Sequence, residues 1–200
     1  LMASFTRWDD AKNCARLYFA ITDLDLSGPL PVAAPWRDVF QTEPCPGLSP
    51  RKSKPFAGHQ AGGRMIELGS ERILVTVGDF KNDGSKRAMT TADQNVDYGK
   101  THIIDLATGS VQRRFTTGHR NPQGLVRRED GAVWSTEHGP LGGDEVNKLI
   151  EGLDYGWPRV TLGRDCGGCD WQIEGRHEGF EKPRWSYVPS IGISNLIEVQ

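Results

Sequence analysis

The residues best suited to chemistry in this 200-residue sequence fall in four polar clusters that follow or interrupt apolar runs. GHQAGGR contains His59 and Arg64. An imidazole followed by small residues is uncrowded and can serve as a base toward an approaching ligand. The plainer reading is a histidine in a glycine turn. VTVGD ends in Asp79. A carboxylate just past an apolar strand can hold a histidine in one tautomer and raise its basicity, or it can cap a turn through its own backbone. GHRNPQGL carries Arg120 and Asn121, a guanidinium and an amide beside a stiffening proline. That combination suits a planar ligand bearing carboxylates or carbonyls. STEHGPLGGDEVNKL carries His138, a Gly139–Pro140 turn that exposes backbone carbonyls, and the carboxylates Asp144 and Glu145. Calcium accepts backbone carbonyls readily, although this spacing is not that of an EF-hand loop.

The four cysteines add a further possibility. Cys14 and Cys45 stand alone, whereas Cys166 and Cys169 form a CGGC. A structural disulfide is the favoured reading, with free thiols and a metal or redox role as alternatives. A zinc site wants a second cysteine or histidine pair, and only His177 is near. A thioredoxin-type pair wants a strand-then-helix setting, but CGGC lies among Gly, Asp and Trp. This cysteine usage leans toward an oxidising compartment.

The elements that must position these clusters are short strands joined by glycine turns. RMIEL and ILVTVGD flank GSER; THIIDL and VQRRF flank ATGS; GLVRR and AVWSTEHG flank EDG. Each is a hairpin pattern. CARLYFAITDLDL reads as one or two more strands. Sequential hairpins of this kind predict an all-β sandwich or propeller. Residues 27–58 read as a Pro-rich loop with a possible edge strand, residues 80–98 as polar and patternless, and residues 163–184 as a third excursion.

Composition agrees: Gly 24 and Pro 12 argue for a turn-rich fold and against a helical bundle. The net charge of −2, with both signs interspersed and no basic stripe, argues against nucleic acid or an anionic membrane as partner. The longest apolar stretch, Ala15 to Ile21, is broken by Arg16 and is too short to span a membrane. LMASFTRWDD lacks the regions of a signal peptide. The start at Leu1 and the apolar ISNLIEVQ at the other end are expected to be cuts in a longer protein, with residues 1–200 forming part of one domain.

GHRNPQGL, followed at a short interval by WSTEHGPLGGDEVNKLIEGLDYGWP, resembles the glucose/sorbosone dehydrogenase family. Those are the soluble quinoprotein sugar dehydrogenases and the aldose sugar dehydrogenases. GHQAGGRMIEL and ILVTVGD fall upstream in the same order, and WSYVPSIGISNLIEV downstream is similar to the family's next blade. The resemblance covers roughly residues 55–200 and is most specific over 118–158. It implies a six-bladed β-propeller, of which this chain would form three to four blades.

It further implies oxidation of an aldose sugar, with pyrroloquinoline quinone (PQQ) as hydride acceptor and calcium beside it. His59 would be the general base, oriented by Asp79. Arg120 and Asn121 would contact the quinone, with Arg120 also stabilising developing charge. The carbonyls of Gly139 and Pro140 would ligate calcium, and Asp144 and Glu145 would order the loop, around a second ion if one binds there. His138 would line the sugar side. An external electron acceptor, a periplasmic or secreted location and a possible homodimer complete the expectation. The alternatives are a non-catalytic binding module on the same propeller and a calcium-dependent lactonase-type hydrolase.

Three departures from the family pattern stand out. Arg64 lies five residues after His59 where the soluble enzymes have four, so the turn bulges or the imidazole shifts. His138 replaces a Gln found in some members. The later blades, whose basic residues grip the PQQ carboxylates, have no counterpart in this sequence, so the isolated chain is expected to bind PQQ poorly.

Overall fold

A computed structural model describes residues 1–45, 59–82, 91, 93–164, 173–174 and 176–199. Among them every regular element is a strand. β1 (Met2–Asp9) pairs antiparallel with β2 (Cys14–Ile21). A small ribbon of β3 (Leu24–Asp25) and β4 (Val32–Ala33) precedes β5 (Arg37–Gln41), which takes the other edge of β2. β5 is thus the edge strand expected within 27–58.

The second sheet is an up-and-down meander of β6 (Gly62–Gly69), β7 (Arg72–Val77), β8 (Lys100–Asp105) and β9 (Val111–Thr117). The third begins with β10 (Pro122–Arg127), β11 (Val133–Glu137) and β12 (Asp144–Leu149). A short parallel pair, β13 (Val160–Thr161) and β14 (Ile173–Glu174), intervenes before β15 (Trp185–Tyr187) closes the sheet beside β12. The three expected hairpins are β6–β7, β8–β9 and β10–β11. β1, β4, β12, β13 and β14 were not anticipated as strands, and Trp185–Tyr187, expected to begin the next blade, instead closes the third sheet as β15.

The sheets stack face to face, with the second in the middle. Side chains alternate across a strand, so Ile73, Val75 and Val77 of β7 face the first sheet with Leu17, Phe19 and Phe40. Leu74, between them, faces the third sheet with Leu125, Val133 and Leu149. β7 therefore needs apolar residues on both faces, and RILVTV supplies them. The first strand of each sheet lies innermost: β6 touches β1 on one side and β10 on the other. Ser4 Oγ donates to the Gly63 carbonyl and Arg64 Nε to the Gln123 carbonyl, stitching these inner strands together.

The stretch 80–98, which reads as patternless, supplies core residues: Phe80, Val96 and Tyr98 are all buried, and Phe80 meets Tyr98 edge to face with ring centroids 4.9 Å apart. Lys100 is wholly buried as well, donating from Nζ to the carbonyls of Thr91, Asp93 and Tyr98. Cys14 and Cys45 form a disulfide, their Cα atoms 5.8 Å apart, tying the start of β2 to the segment after β5. The CGGC cysteines lie outside the described residues.

Candidate active site

The polar clusters sit at one end of the second and third sheets. The register pairs Gly62 with Val77, Val77 with Lys100 and Lys100 with Thr117, so the start of β6 lies beside the end of β7 and of β9. In the third sheet Pro122 opposes Glu137 and Glu137 opposes Glu145.

His59 precedes β6 and is exposed. Its neighbour Gln60 is clamped against the end of β7: the Phe80 N–H donates to the Gln60 carbonyl at 3.1 Å, and the Gly78 N–H to Ala61 at 2.9 Å. Position 78 must be glycine, because a Cβ there would lie 2.0 Å from the Gln60 carbonyl oxygen. Gln60, Phe80 and Lys81 hold φ values of 59°, 51° and 60°. Left-handed backbone is unfavourable for such residues and collects where a site over-determines it. β6 is bulged between Gly62 and Met65, within the stretch that carries the additional residue between His59 and Arg64.

Asp79 is fully buried. Its Oδ1 accepts from the Lys81 N–H at 2.7 Å and its Oδ2 from the Trp157 indole at 2.8 Å. Its own N–H donates to the Arg120 carbonyl at 2.8 Å, joining the two sheets. Arg120 is half-buried and directs Nη1 at two main-chain oxygens, His138 at 3.1 Å and Gly139 at 2.8 Å. Its guanidinium lies over the Trp157 ring, 5.5 Å from the centroid. Asn121 accepts the His138 N–H on its backbone carbonyl and the Gln123 amide on Oδ1.

The Gly139–Pro140 turn is held from behind by Asp144. Its Oδ1 accepts from the Gly139 N–H and Ser190 Oγ, and its Oδ2 from the N–H groups of Ile191, Gly192 and Ile193. Burial pushes this carboxyl upward, but hydrogen bonds from Ile193, Ser190 and Gly139 outweigh it and hold the group below the ordinary aspartate value. His138 Nε2 contacts the Ile193 carbonyl and closes the same loop. Asp144 thus orders the turn through backbone donors.

Beneath Arg120 lies a buried polar network. Glu137 accepts from the Arg120 N–H at 2.9 Å and the Asn147 amide at 2.9 Å, and its Oε1 lies 3.1 Å from His119 Nδ1. Asn147 also donates to Glu145. Burial, and then the neighbouring Glu137 carboxylate, drive the Glu145 pKa well above its ordinary value. A small cavity of about 20 Å³, roomy enough for about one water or a bare ion, is lined by Arg120, Glu137, Gly139, Pro140, Glu145 and His177 among others. Among the described residues no three His, Cys, Asp or Glu side chains converge as a metal-binding group.

Direct bonds therefore bring together Asp79, Arg120, Asn121, His138, Gly139 and Asp144, with Pro140 and Glu145 on the adjoining cavity. His59 adjoins them only as the chain neighbour of Gln60: its exposed side chain makes no bond to Asp79, whose oxygens accept from Lys81 and Trp157 instead. Sequence reasoning assigned no role to Trp157, Glu137 or His119, although all three lie inside the quoted motifs. Their signal was a buried-type aromatic in a glycine loop and charged groups flanking a turn.

The sequence profile of the Glucose / Sorbosone dehydrogenase family matches residues 48–200. The chain is 43% identical over 134 residues to quinoprotein glucose dehydrogenase B of Acinetobacter calcoaceticus, covering 55% of this chain and 28% of that protein. It is 29% identical over 187 residues to the aldose sugar dehydrogenase YliI of Escherichia coli, covering 86% and 46%. A crystal structure of the soluble aldose sugar dehydrogenase from Escherichia coli in its apo form superposes with a TM-score of 0.74 at 25% identity, covering 97% of this chain and 55% of that one. The chain thus spans less than half the length of these curated relatives, and its successive sheets are blades of the six-bladed β-propeller expected from the sequence. With the matched profile, the ordered motifs and the shared architecture in agreement, this chain belongs to the glucose/sorbosone dehydrogenase family.

Proposed function

We propose that the protein containing this chain oxidises an aldose sugar at its anomeric carbon, using PQQ with calcium beside it. The observation that carries this reading is a path from Gln60 to the Gly139 carbonyl: the Phe80 N–H donates to Gln60, the adjacent Asp79 N–H donates to Arg120, and Arg120 donates to Gly139. That a histidine, a cation and a carbonyl-rich turn share one end of the sheets supports the reading.

The donor set suits both groups. Arg120 and Asn121 offer a fixed cation and an amide to a planar, anionic ring system. The Gly139 carbonyl accepts from Arg120 at 2.8 Å and keeps a second lone pair that a calcium ion could use. Gly139 and Pro140 would hold calcium, with Glu145 facing the adjoining cavity and Asp144 fixing the turn that presents the carbonyls. When bound, PQQ supplies the electron sink for hydride and calcium the Lewis acidity that polarises it.

The chain's own residues supply position and proton transfer. His59 accepts the proton of the anomeric hydroxyl as hydride leaves, since that hydroxyl is too weak an acid to ionise unaided. Asp79, held by the Lys81 N–H and the Trp157 indole, fixes the segment to which Gln60, next to His59, is bonded; Arg120 offsets the developing negative charge, and His138 lines the sugar side. Electrons would leave to an external acceptor. The Cys14–Cys45 disulfide favours a periplasmic or secreted setting.

Reconstitution of the full-length protein with PQQ and calcium, assayed with aldoses and an artificial acceptor, tests the reading. His59→Ala should lower kcat by roughly 10²- to 10⁴-fold. Wild-type turnover in that variant would remove His59 from the mechanism.

A further inference from the structure

We propose that Trp157 is a positioning residue that fixes the Asp79 carboxylate and the Arg120 guanidinium relative to one another. The inference rests on the dehydrogenase reading for its catalytic consequence, but its geometry stands apart from it.

The loop that carries Trp157 is fastened beside the segment leading into Arg120. Thr117 donates its N–H to the Leu153 carbonyl, Tyr155 to Thr117, and Trp157 to Gly118, at 3.1, 2.9 and 3.1 Å. The approach is so close that a Cβ on Gly118 would lie 2.2 Å from Asp154 Oδ1 and 2.4 Å from the Gly156 nitrogen. Gly118 also holds a φ of 79°, which suits glycine alone. This ladder delivers the indole over Arg120, two residues further on.

One side chain then touches two sites. The indole Nε1–H donates to Asp79 Oδ2 at 2.8 Å across 78 residues of sequence, while the ring face carries the Arg120 guanidinium. Indole is a donor only, and a fully buried carboxylate requires donors. With the Lys81 N–H on Oδ1, the two donors leave the carboxylate plane no freedom to turn. The cation–π contact sets the guanidinium in the same way and gains strength from partial desolvation. Backbone pairing of Asp79 with Arg120 fixes their main chains; Trp157 extends that relation to their side chains.

Trp157→Phe keeps an aromatic face and deletes the donor; Trp157→Leu deletes both. In the full-length protein reconstituted with PQQ and calcium, Trp157→Phe should lower kcat by roughly 10- to 100-fold, the scale of a slightly misplaced group. It should also displace the pH profile of kcat, with PQQ affinity by calorimetry near wild type. Trp157→Leu should in addition weaken PQQ binding by about tenfold. Wild-type kcat and pH profile in Trp157→Phe would overturn the proposal, as would losses that only track the fall in Tm.

Hydrogen exchange separates the geometry from the activity. In the protein without PQQ, the Trp157 indole N–H should exchange more than about 100-fold more slowly than that of exposed Trp36. An unprotected Trp157 indole would sink the clamp. A protected one in a protein that takes up no PQQ would uphold the clamp and sink the dehydrogenase reading instead.

Discussion

His119 and Glu137 meet with Nδ1 and Oε1 3.1 Å apart, both buried, and the same carboxylate accepts the backbone N–H of Arg120. The other ring nitrogen, Nε2, meets Thr116 Oγ1 at 2.8 Å, so the imidazole is held at both ends. Arg120 is therefore anchored from within the third sheet before any ligand arrives.

Glu137→Gln should expose the value of that anchor. The amide keeps one acceptor oxygen but turns an NH₂ toward groups that were donating to a carboxylate. A destabilisation of roughly 1–3 kcal/mol is expected from the mismatched buried donors. Denaturant unfolding reads the loss, and a parallel drop in PQQ affinity would report the loosened Arg120.

Asp144→Asn should weaken the closure of residues 190–193 over the Gly139–Pro140 turn. The asparagine side chain cannot accept all the donors that converge on Asp144, so a loss of roughly 1–3 kcal/mol is expected at neutral pH. The pH dependence has a definite sign. The folded pKa lies below the ordinary 3.8, so the wild-type contribution is fully present above 3.8. It is lost as pH falls through the folded value. The stability gap between wild type and variant, followed by thermal unfolding, should therefore narrow in strong acid.

Glu145→Gln should behave in the opposite sense. The folded pKa is raised well above 4.5 by burial and by Glu137, so the protonated carboxyl contributes fully below 4.5. That contribution declines as pH rises through the folded value. A neutral amide removes the decline, giving a Tm at neutral and alkaline pH equal to or above wild type.

Replacing Cys14 and Cys45 together by serine opens a bridge between residues 31 apart in sequence. Chain entropy predicts a loss of about 3–4 kcal/mol. The urea midpoint should fall accordingly, and reductant should lower the wild-type midpoint to match the variant.

What the sequence disclosed, and what it hid, follows from how each residue meets its needs. β7 was legible because an apolar run between turn residues has few other uses. β12 was not, because three of its four buried positions are Asp144, Glu145 and Asn147, held by hydrogen bonds that a hydropathy pattern cannot register. β1 shows the reverse difficulty: four consecutive exposed residues, including aromatic ones, blur any alternation. Lys100 reads as a surface residue at the head of a strand, yet it is buried because three carbonyls receive its ammonium. The candidate site residues stood out as motifs through family resemblance. The contact between Trp157 and Asp79 was not, since it spans 78 residues and depends on how two loops meet.

The two-faced burial of β7 also bears on how this chain comes apart. Opening this sheet strips apolar packing from both of its faces at once, so its central strand cannot open without disturbing two neighbouring sheets. Amides of Ile73 through Val75 should accordingly surrender their protons to deuterated solvent more slowly than those of exposed β1.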